Sequence, residues 1–260
     1  MILIRSIVFN ALFYLNLLAL MVFGLPTMLF GPHAIMGLAK LWGRTSLWLL
    51  RVVCGLDVEY RGLENIPHGG YIIAPKHQSI WETFALLPLF PDFSFILKRE
   101  LTWIPFFGWY LVVGRQIAIN RSSGKAALVQ ATRLAAEVVQ NNRQVFIFPE
   151  GTRRPAGAPP DYKFGVVSIY ERAQAPCLPI ALNSGLFWPR RSFVRRPGKV
   201  LVEIMAPIPP NLPRQDFVAL LSDRIETATN RLITESITAD PSLRVNLQGA
   251  IAADGAGAPR

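Results

Sequence analysis

Acidic residues are scarce in this chain. Over 260 residues, 17 Asp and Glu stand against 27 Lys and Arg, a formal net charge of +10 at pH 7. Charge of either sign is thin at 17% of residues, against about 25% in an average soluble domain. Hydrophobic residues make up 51% of the chain, and the mean hydropathy is +0.31. That excludes a disordered chain, because apolar material for a core is ample. It also argues against a freely soluble enzyme. Cysteine is nearly missing: Cys54 and Cys177 make no disulfide framework and fit a reducing compartment. Histidine is rare too, and no His/Cys cluster offers a metal site. Charges return throughout residues 57–236, which excludes a polytopic transporter. No basic run is interleaved with stacking aromatics beyond the N-terminal segments, which argues against nucleic acid. A basic, apolar chain of this kind points to an anionic membrane surface or an anionic substrate.

The long uncharged run lies at the start. Nothing between Ile7 and Phe30 is charged, and one cation, Arg5, precedes it. As a helix the run is about 36 Å long, enough to cross ~30 Å of hydrocarbon. A cleaved signal peptide would have a shorter apolar core and a small-residue cleavage site, and none follows Leu20. A buried core helix is a further reading, as is a segment that bends at Gly24 and Pro26 and dips into one leaflet. Over Ala34–Val53, Lys40, Arg44 and Arg51 fall within about 40° of each other at 100° per residue. Ile35, Leu38, Trp42, Leu49 and Val53 fall on the opposite face. This is the pattern of an interfacial helix whose basic side meets lipid phosphates, preferred here to a helix packed on the domain. Residues 1–53 are expected to form a two-helix membrane anchor.

From Gly55 onward, short β-rich runs alternate with helical stretches. The runs are 57–60, 71–74, 93–97, 115–119, 145–148, 177–182 and 200–204. Helices are predicted over 81–87, 125–139, 166–173 and 216–236. The alternation predicts an α/β domain over residues 54–238, with a mixed, mostly parallel sheet flanked by helices. Residues 239–260, rich in Ala, Gly, Pro and Asp, are expected to be a disordered tail.

Candidate chemistry gathers at strand ends. His77 follows the second run, and Ser79-Ile-Trp-Glu82 matches a capping box. Glu82 can therefore be a helix cap and His77 an ordinary loop residue. If His77 precedes the helix and Glu82 lies in its first turn, the carboxylate can instead hold one imidazole nitrogen and raise the basicity of the other. Phe148-Pro-Glu150-Gly151-Thr152-Arg153 follows the buried run at 145–148, where ligands bind in α/β sheets. Its Glu and Arg could hold a hydroxyl and a phosphate, or form a local surface ion pair. Arg121 and Lys98 are further cations at strand ends.

These pieces resemble the glycerolipid acyltransferases. His77-Gln-Ser-Ile-Trp-Glu82 is similar to their His-x4-Asp block, with Glu for the usual Asp. Gly114–Arg121 resembles a second block ending in a phosphate-binding Arg. Phe148–Arg153 matches Phe-Pro-Glu-Gly-Thr-Arg residue for residue, and Pro176–Ile180 resembles the apolar fourth block. Lys76 stands where the family often has Asn. The N-terminal segments resemble those of bacterial members that acylate 1-acyl-sn-glycerol 3-phosphate. The resemblance implies a membrane enzyme on the cytoplasmic face, acylating the sn-2 hydroxyl of lysophosphatidic acid to phosphatidic acid. The donor would be a fatty acyl thioester of CoA or acyl carrier protein, with no cofactor. It implies His77 as general base, Glu82 as its partner, and Arg153, Arg121 and Lys98 as phosphate ligands. Glu150, Gly151 and Thr152 would help place the acceptor. Rival readings are the same chemistry on glycerol 3-phosphate or a lyso-ornithine lipid, a lipid hydrolase, and a non-enzymatic membrane-binding protein.

Overall fold

Seven strands form one sheet in the order β1-β7-β6-β2-β5-β3-β4. They are β1 (Leu56–Arg61), β2 (Tyr71–Pro75), β3 (Phe93–Lys98), β4 (Ile117–Ile119), β5 (Gln144–Phe146), β6 (Cys177–Leu182) and β7 (Gly198–Ile204). Each lies within two residues of a predicted run. All neighbours pair in parallel except β6 and β7, so the sheet is mixed and mostly parallel. The central strands β2, β5 and β6 are buried throughout, as their continuous apolar sequences require. The structure, a computed structural model, describes residues 1–247, with the side chain of Arg121 outside the description.

Side-chain alternation along the strands divides the core in two. Ile72, Ala74, Val145 and Cys177 point to one face and pack under α5 (Lys125–Gln140), α6 (Phe164–Ala173) and the first half of α7 (Arg214–Ala239). Tyr71, Ile73, Phe146 and Leu178 point to the other. There they meet Phe9 and Phe13 of α1 (Ile2–Phe23), Ile35 and Met36 of α2 (Pro32–Leu49), and Phe84 of α3 (Glu82–Ala85). The N-terminal helices are therefore the second helical layer of the domain, and packing shows no boundary at residue 53. A short α4 (Phe107–Val113), not predicted, closes this side. Pro105 and Gly108 interrupt its apolar periodicity in the sequence.

Only α1 of the described helices is long and apolar enough to cross a membrane. The interfacial reading of α2 is corrected: its apolar face packs on protein. Gly43 marks the contact, because a Cβ there would sit 2.6 Å from the Phe84 carbonyl oxygen. Lys40 Nζ donates to the Pro91 carbonyl at 2.6 Å, while Arg44 and Arg51 stay exposed. α1 has two apolar faces. Phe9 and Phe13 point inward, while Ile4, Val8, Leu15, Leu18 and Val22 fall within about 40° of one direction on the opposite side and are exposed. Both ends of α1 are held on the domain. Ser6 Oγ accepts from the Arg195 backbone N–H at 2.9 Å, and the Met21 carbonyl accepts from Tyr110 Oη–H at 2.7 Å. The predicted tail is also corrected in part. Residues Pro241–Asn246 form a 3-10 turn with Leu243 buried, and Asn246 Nδ2 donates to the Leu186 carbonyl at 2.6 Å. Residues 248–260 lie outside the described residues.

Candidate active site

β2 delivers Lys76 and His77, and β5 delivers Phe148–Arg153, from carboxyl ends that lie side by side because the two strands pair. Lys98 ends β3, which pairs β5, and Arg121 follows β4, which pairs β3. The candidate residues thus leave one edge of the sheet, where helix dipoles and loops converge on ligands.

His77 Nδ1 lies 2.9 Å from Glu82 Oε1. The same oxygen accepts from the backbone N–H groups of Gln78 and Ser79, both at 2.7 Å. Ser184 Oγ–H donates to Glu82 Oε2 at 2.8 Å. Glu82 is fully buried, and these charge-assisted bonds satisfy an ionised carboxylate there. The cap and the histidine partner are therefore one group acting through one oxygen. The capping box is half formed, because Ser79 Oγ accepts from Trp81 N–H at 3.2 Å instead of from the Glu82 N–H. With Glu82 accepting at Nδ1, this network assigns the proton to Nδ1 and leaves the lone pair on Nε2. The Phe148 ring stacks on the imidazole with centroids 3.8 Å apart. Arg154 N–H donates to the His77 carbonyl at 2.7 Å, tying the Phe148–Arg153 turn to the histidine loop.

Glu150 does something other than what the sequence implied. Its Oε1 takes Lys76 Nζ at 2.9 Å and its Oε2 accepts from His77 N–H at 3.4 Å, both inside the protein. Lys76 Nζ also donates to Glu226 Oε1 on α7 at 2.7 Å, which Tyr162 Oη–H shares at 2.9 Å. A buried lysine beside His77 requires counter-charge, and Glu150 supplies it. Burial pushes the Glu150 carboxyl above its ordinary range, and the Lys76 ammonium pulls it back. Both of its carboxylate oxygens are thus engaged within the protein. Gly151, at φ +64°, turns the chain, and its N–H donates to the Phe148 carbonyl at 3.0 Å. Thr152 is exposed at the turn.

Beside His77 opens a cavity of about 620 Å³. His77, Arg153 and Lys98 border it at the strand ends, and mostly apolar side chains line the remainder, with Thr83 and Gln116 among them. Leu17, Leu20 and Met21 come from α1, Leu38 and Ala39 from α2, and Leu111 from α4. The backbone of Arg121 opens the turn after β4 on the same sheet edge; its side chain lies outside the described residues. Among the described residues, no group of three or more His, Cys, Asp or Glu is placed to hold a metal.

Residues 57–183 match the family model described as Acyltransferase. A 1-acyl-sn-glycerol-3-phosphate acyltransferase of Pseudomonas aeruginosa is 45% identical over 163 residues, 63% of this chain and 63% of that one. Over these residues the chain is similar to the acyltransferase family. A 1-acyl-sn-glycerol-3-phosphate acyltransferase of Cocos nucifera is 30% identical over 179 residues, 68% of this chain and 58% of its own. The matches thus span a little under two thirds of the length of these relatives. The crystal structure of the 1-acyl-sn-glycerophosphate (LPA) acyltransferase PlsC from Thermotoga maritima shares the fold. The TM-score is 0.73 at 24% identity, covering 89% of this chain and 99% of that one.

The family match ends at residue 183, so it omits Ser184, the residue that holds the second oxygen of Glu82. No local signal marks Ser184, which meets Glu82 from 102 positions away. Lys76 carried a weak signal: a cation that directly ends a buried apolar strand needs an acid if it stays inside. The cavity was invisible because the helices that wall it read as a membrane anchor.

Proposed function

We propose that this protein acylates the sn-2 hydroxyl of 1-acyl-sn-glycerol 3-phosphate, using a fatty acyl thioester of CoA or acyl carrier protein, and releases phosphatidic acid. The observation that carries the reading is the cavity. It joins an imidazole with a free Nε2 and two cations to an apolar space of about 620 Å³, the size of a ligand pocket. The acyl chain fills the apolar part, and Arg153 and Lys98 hold the acceptor phosphate. His77 Nε2 takes the proton of the acceptor hydroxyl as its oxygen attacks the thioester carbonyl carbon. The carbon–sulfur bond then breaks, and the imidazolium returns the proton to the leaving thiolate. Glu82 stabilises that imidazolium and fixes its ring. No acyl-enzyme is formed, and the chemistry needs no cofactor.

The protein works on a membrane, on the cytoplasmic face where CoA and carrier protein are found. α1 supports lying in one leaflet over crossing, because its two ends bond to the domain and its outer face is an exposed apolar stripe. Trp103, Ile104, Trp109 and Val112, in and just before α4, are further exposed apolar side chains.

An acceptor screen tests the reading. Purified protein is given acyl-CoA with 1-acyl-sn-glycerol 3-phosphate, glycerol 3-phosphate, lyso-ornithine lipid or no acceptor, and the lipid product is weighed by mass spectrometry. Thiol release that depends on 1-acyl-sn-glycerol 3-phosphate and yields phosphatidic acid is expected. Release of equal rate without acceptor means a hydrolase.

A further inference from the structure

The loop joining β6 to β7 has no part in the chemistry above, yet its composition is unusual. Residues 189–199 carry Arg190, Arg191, Arg195, Arg196 and Lys199, and no acid occurs between Ser184 and Val202. Of the four cations that reach the surface, only Lys199 is in an ion pair among the described residues, with Glu59 at 3.1 Å. Phe193 sits among the arginines with half its surface exposed.

Two anchors fix where this loop lies. Arg195 is buried and binds α1. Its Nη2 donates to Asn10 Oδ1 at 2.8 Å, and its guanidinium stacks 4.0 Å over the Trp188 ring. Burial lowers the Arg195 pKa to about 10, so it remains a cation at neutral pH. At the other end, Arg190 Nη1 donates to the Arg153 carbonyl at 3.2 Å. The loop therefore runs from the inward side of α1, at Ser6 and Asn10, to the turn that carries Arg153.

The Arg195 guanidinium lies 5.7 Å from the Phe193 ring centroid, which holds one face of the ring and leaves the other among unpaired guanidinium groups. An anionic bilayer suits that surface: guanidinium groups meet headgroup phosphates while the ring enters the acyl boundary. We propose that residues 190–196 form an anionic-lipid docking surface, packed beside α1, that seats the Arg153 turn on the bilayer. The proposal rests on the membrane placement of α1 given above. An acidic carrier protein would complement the arginines, but it would leave Phe193 without an apolar partner.

The native cysteines permit a direct test, because both are buried. An environment-sensitive fluorophore is attached to full-length Phe193→Cys, and separately to Leu15→Cys on the α1 stripe. Each protein is bound to vesicles of phosphatidylcholine alone or mixed with phosphatidylglycerol, some containing brominated lipid. The Phe193→Cys label is expected to shift to the blue and be quenched on phosphatidylglycerol vesicles, and to return toward its aqueous emission at high salt. Adding Arg191→Gln and Arg196→Gln should lower the ratio of docked to undocked loop about 30-fold, roughly a factor of five per arginine. The Leu15→Cys label should be quenched on both vesicles. A Phe193→Cys label that stays aqueous while Leu15→Cys is quenched overturns the loop proposal and spares the membrane reading. Both labels staying aqueous overturns both. A Phe193→Cys response to acyl carrier protein alone assigns the loop to that partner instead.

Discussion

The two ends of the cavity are built on opposite principles. At the strand edge, polar groups converge so tightly that a single oxygen of Glu82 takes three partners: two backbone N–H groups and His77. Beyond it, the walls from α1, α2 and α4 are almost wholly apolar. The polar end fixes one proton position through directional bonds, where a displacement of about 1 Å costs about a hundredfold in rate. An apolar end can select only by volume, where each methylene is worth only about 1–3 kcal/mol. Catalysis and chain selection should therefore respond to different mutations.

The largest expected effect is on the polar end. His77→Ala should lower turnover about 10²–10⁴-fold, the span of a general base, with the melting temperature and membrane association near wild type. Near-normal turnover would remove His77 from the chemistry. Lys76→Met should act on stability first. It strands the buried Glu150 and should cost about 3–5 kcal/mol at neutral pH. Glu150 is already held above its ordinary pKa by burial, and losing Lys76 raises it further. The folded state then binds the proton more tightly than the unfolded state, so stability falls as pH rises between the two pKa values. The deficit should be full above the folded pKa and vanish below the unfolded one. Chemical melts of Lys76→Met and Lys76→Met/Glu150→Gln across pH 4–8 check this; the double variant should lose the pH dependence attributed to Glu150.

At the apolar end, Ala39→Phe should shift donor preference to shorter acyl chains. Filling the space of several methylenes predicts a change of about 10–200-fold in relative kcat/KM for long against short chains. Competition between two acyl-CoA lengths in one tube measures it, and an unchanged ratio would mean that the acyl chain lies elsewhere. The smallest effect should follow Arg153→Ala. Its loss should raise acceptor KM about tenfold, the scale of one charge-assisted bond, with donor KM unchanged. A rise in donor KM alone would reassign Arg153 to the thioester.

The same contrast explains what was legible in the sequence. The seven strands were, because buried strands are continuous apolar runs bounded by turn residues. The His77–Glu82 contact was, because a cap places a side chain five residues back against a pre-helical histidine, and the 2.9 Å distance follows from that geometry. The cavity was not. Its walls are apolar on both sides, and composition alone cannot separate a face that meets lipid from a face that meets protein. Phe13 and Leu15 read alike in the sequence, yet one is buried and the other exposed. The role of Glu150 was hidden for a related reason. A carboxylate on a turn looks available to substrate until its partner, Lys76, is seen to be buried.

The central claim, that the charge of Glu82 serves catalysis while its oxygens serve the fold, is tested by measuring melts and turnover together on Glu82→Gln. Gln can keep an oxygen for the Gln78 and Ser79 N–H groups, and its amide can still pair with Ser184 Oγ. The account predicts a stability loss of no more than about 1 kcal/mol, the scale of a cap, with turnover down by about a hundredfold or more because the imidazolium loses its counter-charge. Glu82→Asp should restore part of that turnover. A Glu82→Gln protein that melts early yet keeps its turnover would contradict the account and leave Glu82 as a helix cap alone.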